Sequence, residues 1–338
     1  IEDFTSLSIE DMIAEEEMVL TITHNGYIKR TSLSTYRSQR RGGRGVQGAS
    51  SREEDFVEHL FVANTHSYIL FFTDKGKCYW VKVYDIPEGG RAAKGRAIVN
   101  LIGCEPDEKV SAFISVKEFN EDHYVVMATE KGMVKKTKLS AYSNPRKKGI
   151  YAVEIRDGDR LIEARVSTGD NDILLGTRNG KSIRFSEEQI RASGRKTMGV
   201  KGITLSSEDD RLVGMLLIKR EGTVLVATEK GFGKRTEISQ YRAQKRGGKG
   251  VLTMKTTDKV GKMVTIKEVV DKDDLMIITN QGVLIRLPVA QIRSIGRATQ
   301  GVKLIKLGEG TLVSSITRIM SEEEEDENNN TESTDPKE

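Results

Sequence analysis

Residues 224–235 read VLVATEKGFGKR, and this stretch contains the unit from which the fold can be predicted. A β-branched run from Val224 to Val226 precedes Thr228, and Gly231 follows three residues after the threonine. A β-branched run favours a strand, and glycine supplies the positive φ that a tight hairpin turn needs. The stretch therefore predicts a β-hairpin.

The Thr-x-x-Gly element occurs six times, each time after an apolar run. Its copies are Thr23/Gly26, Thr73/Gly76, Thr129/Gly132, Thr177/Gly180, Thr228/Gly231 and Thr279/Gly282. A second glycine follows each turn glycine after 19 residues, or after 17 in the third copy, at Gly45, Gly95, Gly149, Gly199, Gly250 and Gly301. Further strand candidates follow, as in Val110 to Ile114 and Leu212 to Ile218. Each repeat of about 50 residues thus predicts four strands.

These repeats predict an all-β fold of six four-stranded blades, because radially arranged blades bury each other's faces. Two stacked β-sandwiches, the main alternative, would not give six equal periods. We expect a linker at 1–16, a six-bladed domain at 17–320 and a disordered acidic tail at 321–338. The repeats within the domain are approximately 17–66, 67–121, 122–170, 171–221, 222–272 and 273–320.

Composition places the chain among globular proteins. Its 338 residues are 37% hydrophobic and 31% charged, which excludes a wholly disordered chain. No apolar stretch approaches the ~20 residues that span a bilayer, so we expect a soluble protein without a membrane partner. Two cysteines and no signal segment favour a reducing cytoplasm. The start at Ile1 leads us to expect an excised part of a longer protein.

Charge is divided unevenly along the chain. Residues 321–338 hold nine acidic residues and one lysine, a net charge of −8, which leaves +12 for residues 1–320. The basic body favours a polyanionic partner. The acidic tail is either a solubilising end or an internal polyanion mimic that competes for the basic body.

Basic residues are phased with the repeat. Four residues after five of the turn glycines lie Arg30, Lys136, Arg184, Arg235 and Arg286, with Trp80 as the exception. The segment before the second glycine is also basic, with Arg91, Lys94, Arg146, Lys147, Lys148, Arg195, Lys196, Lys245, Arg246, Lys249 and Arg297. A lone cation usually indicates only a solvated surface. Phased cations in six repeats favour phosphate contacts that bind DNA without reading its sequence.

The strongest single signal is the segment QRRGGRG, from Gln39 to Gly45. Glycine lets backbone N–H groups approach an anion, and arginine adds bidentate contacts to phosphate. No Gly-Lys-Ser or Gly-Lys-Thr follows, so a Walker phosphate loop is excluded. The four histidines show no paired metal spacing, and no catalytic group stands out.

This segment matches the gyrase box pattern Q-[RK]-R-G-G-[RK]-G at every position. With its repeats, the chain resembles the C-terminal domain of DNA gyrase A, one of the two proteins of a type IIA DNA topoisomerase, from about Ile1 to Met320. The resemblance implies a six-bladed β-pinwheel whose blades exchange strands and wrap DNA along a basic perimeter with positive handedness. It assigns the box role to Gln39, Arg40, Arg41, Gly42, Gly43, Arg44 and Gly45.

The resemblance also implies the partners. They are double-stranded DNA, the N-terminal region of gyrase A, which cuts DNA, and gyrase B, which binds ATP and Mg²⁺, in an A2B2 heterotetramer of the bacterial nucleoid. Negative supercoiling is the implied result. We expect no catalytic, cofactor or metal site in the chain itself.

The fifth repeat departs from the usual family pattern because it carries a second full match. It consists of Gln244, Lys245, Arg246, Gly247, Gly248, Lys249 and Gly250. Three alternatives stay open: a topoisomerase IV C-terminal domain that guides substrate choice without tight wrapping, a protein-interaction scaffold, and an enzyme active in its own right. The intact box argues against the first and phased charge against the second.

Overall fold

The structure is a computed structural model, which describes residues 10–32, 55, 57–90, 93–219, 222–281 and 283–319. Strands dominate, and they are β1 (Glu17–Thr23), β2 (Tyr27–Ser32), β3 (Val57–Asn64), β4 (Tyr68–Thr73), β5 (Lys77–Lys82), β6 (Arg96–Ala97), β7 (Val110–Val116), β8 (Tyr124–Thr129), β9 (Met133–Lys138), β10 (Ile150–Tyr151), β11 (Leu161–Ser167), β12 (Asp172–Thr177), β13 (Lys181–Ser186), β14 (Val200–Lys201), β15 (Leu212–Ile218), β16 (Thr223–Thr228), β17 (Phe232–Glu237), β18 (Val251–Leu252), β19 (Met263–Val269), β20 (Asp274–Thr279), β21 (Leu284–Pro288), β22 (Val302–Lys303) and β23 (Val313–Ile319).

Helical structure among the described residues is confined to short pieces. The one α-helix, α1 (Ile98–Ile102), ends at Gly103 in the left-handed conformation. Single 3₁₀ turns lie at Glu10–Met12, Val83–Asp85, Leu139–Tyr142, Glu187–Gln189, Ile238–Gln240 and Val289–Gln291. No helix in the described part of the chain is both long and apolar enough to cross a membrane.

The strands form six antiparallel sheets of one design. The strand orders are β3-β1-β2-β6, β10-β5-β4-β7, β11-β8-β9-β14, β15-β12-β13-β18, β19-β16-β17-β22 and β21-β20-β23. The two-residue strand of each four-stranded sheet comes from the next repeat, as the resemblance implied. Within the described residues the sixth sheet has three strands. The predicted all-β fold of six repeated blades is confirmed.

The Thr-x-x-Gly element forms the hairpin turn of the first five sheets. In the third sheet the amide of Gly132 donates to the Thr129 carbonyl at 3.0 Å, and the amide of Met133 donates to Thr129 Oγ1 at 3.2 Å. The threonine thus satisfies two amides that the turn would otherwise leave unpaired. Gly132 has φ 83°, a left-handed conformation that favours glycine. Both residues of the motif therefore have a structural cause.

The described residues divide into two compact units. Those within 1–169 and 190–200 form the first unit, and those within 170–189 and 201–338 form the second. In the first unit Ile69 and Phe71 pack against the first sheet, whereas Leu70 and Phe72 pack against the third. Successive strand residues point to opposite faces, so a strand buried on both faces reads as an uninterrupted apolar run.

The second unit repeats this packing. Val224 and Val226 contribute to the core shared with the fourth sheet, and Leu225 and Ala227 to the core shared with the sixth. Contacts between β15 and β19 and between β19 and β23 join the sheets. The loops at the ends of these sheets are consequently held on a well-packed base.

Candidate nucleic-acid interface

The cation four residues after the turn glycine joins one repeat to the next. Arg235 on β17 is 9% exposed, its Nε donates to the Ile292 carbonyl at 2.8 Å, and its guanidinium pairs with Asp271. Ile292 directly follows the 3₁₀ turn of the next repeat. The Arg235 amide also donates to the carbonyl of Arg293 at 3.1 Å. This arginine therefore acts as a clamp inside the protein.

Arg30 and Arg184 make the same kind of contact. Arg30 Nε donates to the Ile86 carbonyl at 2.7 Å, next to the 3₁₀ turn of the second repeat. Arg184 Nη1 donates to the Tyr241 carbonyl at 3.2 Å, and its Nε donates to Asp172 at 2.7 Å. The phasing of these arginines is explained by packing between successive repeats.

Trp80, the exception in the sequence, fits this explanation. Its indole Nε1 donates to the Tyr142 carbonyl at 2.8 Å, and Tyr142 closes the 3₁₀ turn of the third repeat. Tryptophan carries one N–H donor and no charge. A shared need for an N–H donor, not a shared charge, accounts for this position.

The prediction of phosphate contacts needs correction for two of the phased cations. Lys136 is 7% exposed with its Nζ 4.9 Å from the centre of the Tyr124 ring, and Arg235 is buried as described above. A buried cation that already has partners inside the protein can reach a phosphate only by breaking its contacts with those partners. Arg286 differs, because its side chain is 61% exposed although it pairs with Asp274 at 2.5 Å.

The second group of cations lies in what we call the basic loops, the six residues before each second glycine: 39–44, 89–94, 143–148, 193–198, 244–249 and 295–300. Its exposed members among the described residues are Lys94, Arg146, Lys147, Lys148, Lys196, Lys245 and Lys249. Exposed cations in equivalent loops of successive repeats are suited to binding a chain of phosphates. Arg91 and the first box, Gln39 to Gly45, lie outside the described residues.

One arginine of each of three basic loops is turned back onto the protein. Arg195 donates to the Tyr151 carbonyl at 3.4 Å, and Arg246 donates to the Lys201 carbonyl at 3.1 Å. In the sixth repeat Arg297 donates to the Leu252 carbonyl at 2.7 Å. All three acceptors end a two-residue strand, so these half-buried arginines fix their loops against the preceding short strand.

Backbone contacts order the second box. The amide of Gly247 donates to the Gly202 carbonyl at 2.6 Å. Thr204 donates two hydrogen bonds, from its hydroxyl to the Gly247 carbonyl at 2.6 Å and from its amide to the Gly248 carbonyl at 2.9 Å. At the start of the box the amide of Gln244 donates to the Arg184 carbonyl at 2.8 Å. Lys245 and Lys249 remain as its exposed charges.

Gly250 closes this box because no other residue fits its position. It has φ 69°, and a Cβ atom there would collide with the carbonyl oxygen of Ser182. The collision arises because the following residues, Val251 and Leu252, pair with β13. The second glycine of the second to sixth repeats thus lets the basic loop pass directly into the exchanged strand.

Sequence reasoning missed three lysines beneath the basic loops. Lys135 and Lys234 are buried, and Lys29 is half-buried. Burial and the nearby charge of Arg195 lower the pKa of Lys135 to about 7. Burial and the charge of Arg297 lower the pKa of Lys234 to about 8, and burial also lowers the pKa of Lys29. Each lies three residues after a turn glycine, and that shared spacing was the signal available in the sequence.

No group of three or more His, Cys, Asp or Glu side chains that could hold a metal ion occurs among the described residues. The interface is instead built from ammonium groups, guanidinium groups and backbone amides. Such donors suit a polyanion whose charge is spread along its length.

Comparison with known proteins gives consistent results. The sequence profile described as "DNA gyrase C-terminal domain, beta-propeller" matches residues 17–64, 67–117, 123–168, 171–219, 222–269 and 273–319. The A subunit of DNA gyrase from Staphylococcus epidermidis is 48% identical over 320 residues, which cover 94% of this chain and 36% of that protein. The Staphylococcus aureus (strain COL) protein of the same name is 46% identical over 334 residues, which cover 98% of this chain and 38% of that protein. The chain spans little more than a third of these relatives.

Solved structures share the fold. The C-terminal domain of DNA topoisomerase IV has a TM-score of 0.83 at 26% identity and covers 96% of this chain and 100% of its own. A DNA gyrase A C-terminal domain has a TM-score of 0.69 at 24% identity, and the match covers 90% of this chain and 100% of that domain. The latter similarity shows the fold alone. The family resemblance expected from the box is confirmed, and the chain belongs to the family of DNA gyrase C-terminal domains, which are β-propellers.

Proposed function

We propose that the chain binds duplex DNA through its basic loops and wraps it with positive handedness. The observation that carries the proposal is the set of exposed lysines in the basic loops of successive repeats, such as Lys148, Lys196 and Lys245. Each phosphate contact releases counterions, and none of them requires a particular base. Several such contacts are needed, because bending a short duplex by 40–90° costs roughly 1–6 kcal/mol.

The family membership supports a role in a larger enzyme. We propose that the wrapped DNA is presented for strand passage, with cleavage by the N-terminal region of a gyrase A protein and ATP use by a gyrase B protein. Negative supercoiling is then the activity of that complex in the bacterial cytoplasm. The chain itself contributes binding and geometry, without a cofactor of its own.

A ligation assay tests the proposal. A nicked circular DNA is sealed in the presence of increasing amounts of the chain, the protein is removed, and the linking number is measured. A positive shift that grows with protein concentration is the expected result. DNA that binds the chain without any shift would contradict wrapping.

The structural similarity to topoisomerase IV favours one second candidate. The TM-score with its C-terminal domain exceeds that with the gyrase domain, 0.83 against 0.69. In this alternative the basic loops tether DNA and guide substrate choice without tight wrapping. The same assay separates the two, since a tether gives binding but no change of linking number.

Neutral variants of the two boxes test how wrapping is divided between them. We expect glutamine at Arg40, Arg41 and Arg44 to reduce the linking-number shift in part, and glutamine at Lys245 and Lys249 to reduce it by a different amount. The second box serves as an internal comparison for the first. A chain that lacks only the first set of charges and still wraps like the parent would contradict a role for that box.

A further inference from the structure

The basic loops fall into two sequence classes that alternate along the chain. Loops of the second, fourth and sixth repeats contain a Gly-Arg pair at the same distance before the second glycine. The glycines of these pairs are Gly90, Gly194 and Gly296. The first and fifth repeats carry the Gly-Gly box instead, and the third has Asn-Pro-Arg-Lys-Lys at residues 144–148. A difference with a period of two repeats calls for a structural cause.

A lysine lies beneath each Gly-Arg loop. Lys234, fully buried on β17, donates from Nζ to the Gly296 carbonyl at 2.7 Å, to the Arg297 carbonyl and to Thr299 Oγ1 at 3.0 Å. All three acceptors lie in the basic loop of the sixth repeat. The lysine of one repeat therefore determines where the loop of the next repeat lies.

The other two lysines repeat this contact. Lys29 Nζ donates to the carbonyls of Gly90 at 3.0 Å and Ala93 at 2.9 Å. Lys135, 1% exposed, donates to the carbonyls of Ala152 at 2.6 Å and Arg195 at 2.5 Å. Three independent copies of one arrangement exclude an accident of a single loop.

The remaining repeats have no lysine at this position. Tyr79, Ile183 and Ile285 stand there instead. The Ile183 side chain comes within 3.5 Å of where a Cβ of Gly248 would lie, and the Tyr79 ring comes within 2.8 Å of where a Cβ of Gly149 would lie. The described loops of the third and fifth repeats therefore lie against an aromatic and an apolar side chain, so their support differs chemically from that of the Gly-Arg loops.

Physical chemistry favours a specific role for the lysines. Burying an ammonium group costs stability unless carbonyl oxygens replace the lost water. Here the replacing oxygens belong largely to the loop, so a loop that leaves its position removes hydrogen-bond acceptors from the lysine Nζ beneath it. The lowered pKa values of Lys135 and Lys234 are the expected sign of that burial.

We infer that Lys29, Lys135 and Lys234 are positioning residues that hold the basic loops of the second, fourth and sixth repeats in place for phosphate binding. The described part of the chain then carries two kinds of DNA-binding loop, one held by a lysine Nζ beneath it and one lying against an apolar or aromatic side chain. This inference rests on the proposed DNA-binding function.

Hydrogen exchange of the DNA-free chain tests the positioning itself. In Lys135→Met we expect amides of residues 193–199 to exchange at least tenfold faster, while residues 244–250, whose loop has no lysine beneath it, keep the parent rate. Lys138→Met is the matched control, because Lys138 lies on the same strand but is exposed and faces Glu121. Unchanged exchange at 193–199 would overturn the inference.

Salt-dependent DNA binding provides a readout that general destabilisation does not move. Each phosphate contact contributes about −0.9 to the slope of log K against log salt. We expect Lys135→Met to reduce the magnitude of the slope by about one contact, whereas Lys138→Met keeps it. A folded Lys135→Met chain with the parent slope would contradict a role in phosphate binding.

If the parent does not bind DNA, the proposed function fails, and hydrogen exchange still decides the positioning. If Lys135→Met does not fold, Lys29→Met at the least buried copy takes its place, with residues 89–95 as the segment measured.

Discussion

At the scale of single residues, Trp80 shows why a periodic signal needs a structure to interpret it. In the sequence it stands as a gap in a row of cations, whereas its indole N–H makes the contact that Arg235 makes elsewhere. The periodicity is real, but charge alone does not explain it. Spacing along a chain does not tell whether a guanidinium faces solvent or a carbonyl in the next repeat.

Replacing Trp80 tests the clamp. Trp80→Phe removes the N–H donor and leaves the Tyr142 carbonyl unpaired, so we expect the free energy of unfolding to fall by about 1–3 kcal/mol. Trp80→Arg restores a donor of the kind found in other repeats and is expected to recover part of the loss. Urea unfolding followed by circular dichroism measures both. Equal stability of Trp80→Phe and the parent would show that the bond contributes nothing.

Lys135 gives the stability a pH dependence of known sign. Its pKa is about 7 in the folded chain, against an ordinary lysine value of 10.5. Between these values the unfolded chain binds more protons, so the free energy of unfolding rises with pH, by at most about 1.4 kcal/mol per pH unit. The gain is complete above pH 10.5 and lost as pH falls to about 7. Urea unfolding at neutral and at alkaline pH should show a smaller increase in Lys135→Met than in the parent.

The buried lysines also mark a limit of sequence reasoning. Lysine is rarely fully buried, so a Lys such as Lys234 in an alternating strand is normally assigned to solvent. Its carbonyl partner at Gly296 lies 62 residues away, in the next repeat. The one sequence signal for this contact was the recurrence of lysine three residues after alternate turn glycines.

At the scale of secondary-structure elements, the hairpins were predictable and the exchange of short strands was not predictable from pattern alone. A run such as Leu212 to Ile218 coincides with β15 because a strand packed on both faces must be apolar throughout. A two-residue strand such as Val251–Leu252 carries no periodicity, so its pairing with the preceding repeat came only from the resemblance. Helix α1 is too short to leave a helical pattern.

Two glycines of one loop make a matched test at this scale. Gly250→Ala places a Cβ against the Ser182 carbonyl at φ 69°, so we expect a loss of about 1–3 kcal/mol of stability. Gly248→Ala places its Cβ at an ordinary contact distance of 3.5 Å from Ile183 and is expected to change stability little. Thermal or urea unfolding compares them. Similar losses in both variants would refute the explanation of the second glycine.

At the scale of the whole chain, we expect the balance of charge to set the strength of the proposed DNA binding. Residues 1–320 carry +12 and residues 321–338 carry −8. If the acidic segment competes with DNA for the basic loops, removing residues 321–338 raises the affinity for DNA at low salt. This increase in affinity disappears at higher salt, because salt screens the attraction of the loops to the acidic segment and to DNA alike. Affinity measured at several salt concentrations tests this. An equal affinity of both chains at low salt would leave the segment with a solubilising role only.

The lysines beneath alternate loops have a consequence for how such a chain can change in evolution. Each of these lysines and the loop it supports lie in successive repeats, as Lys234 and Gly296 do. Duplicating or deleting one repeat would place a buried lysine under a loop that cannot satisfy it, or a Gly-Arg loop over an isoleucine. Gain or loss of a pair of repeats preserves every contact, so lineages of this domain should more readily change their repeat number in steps of two.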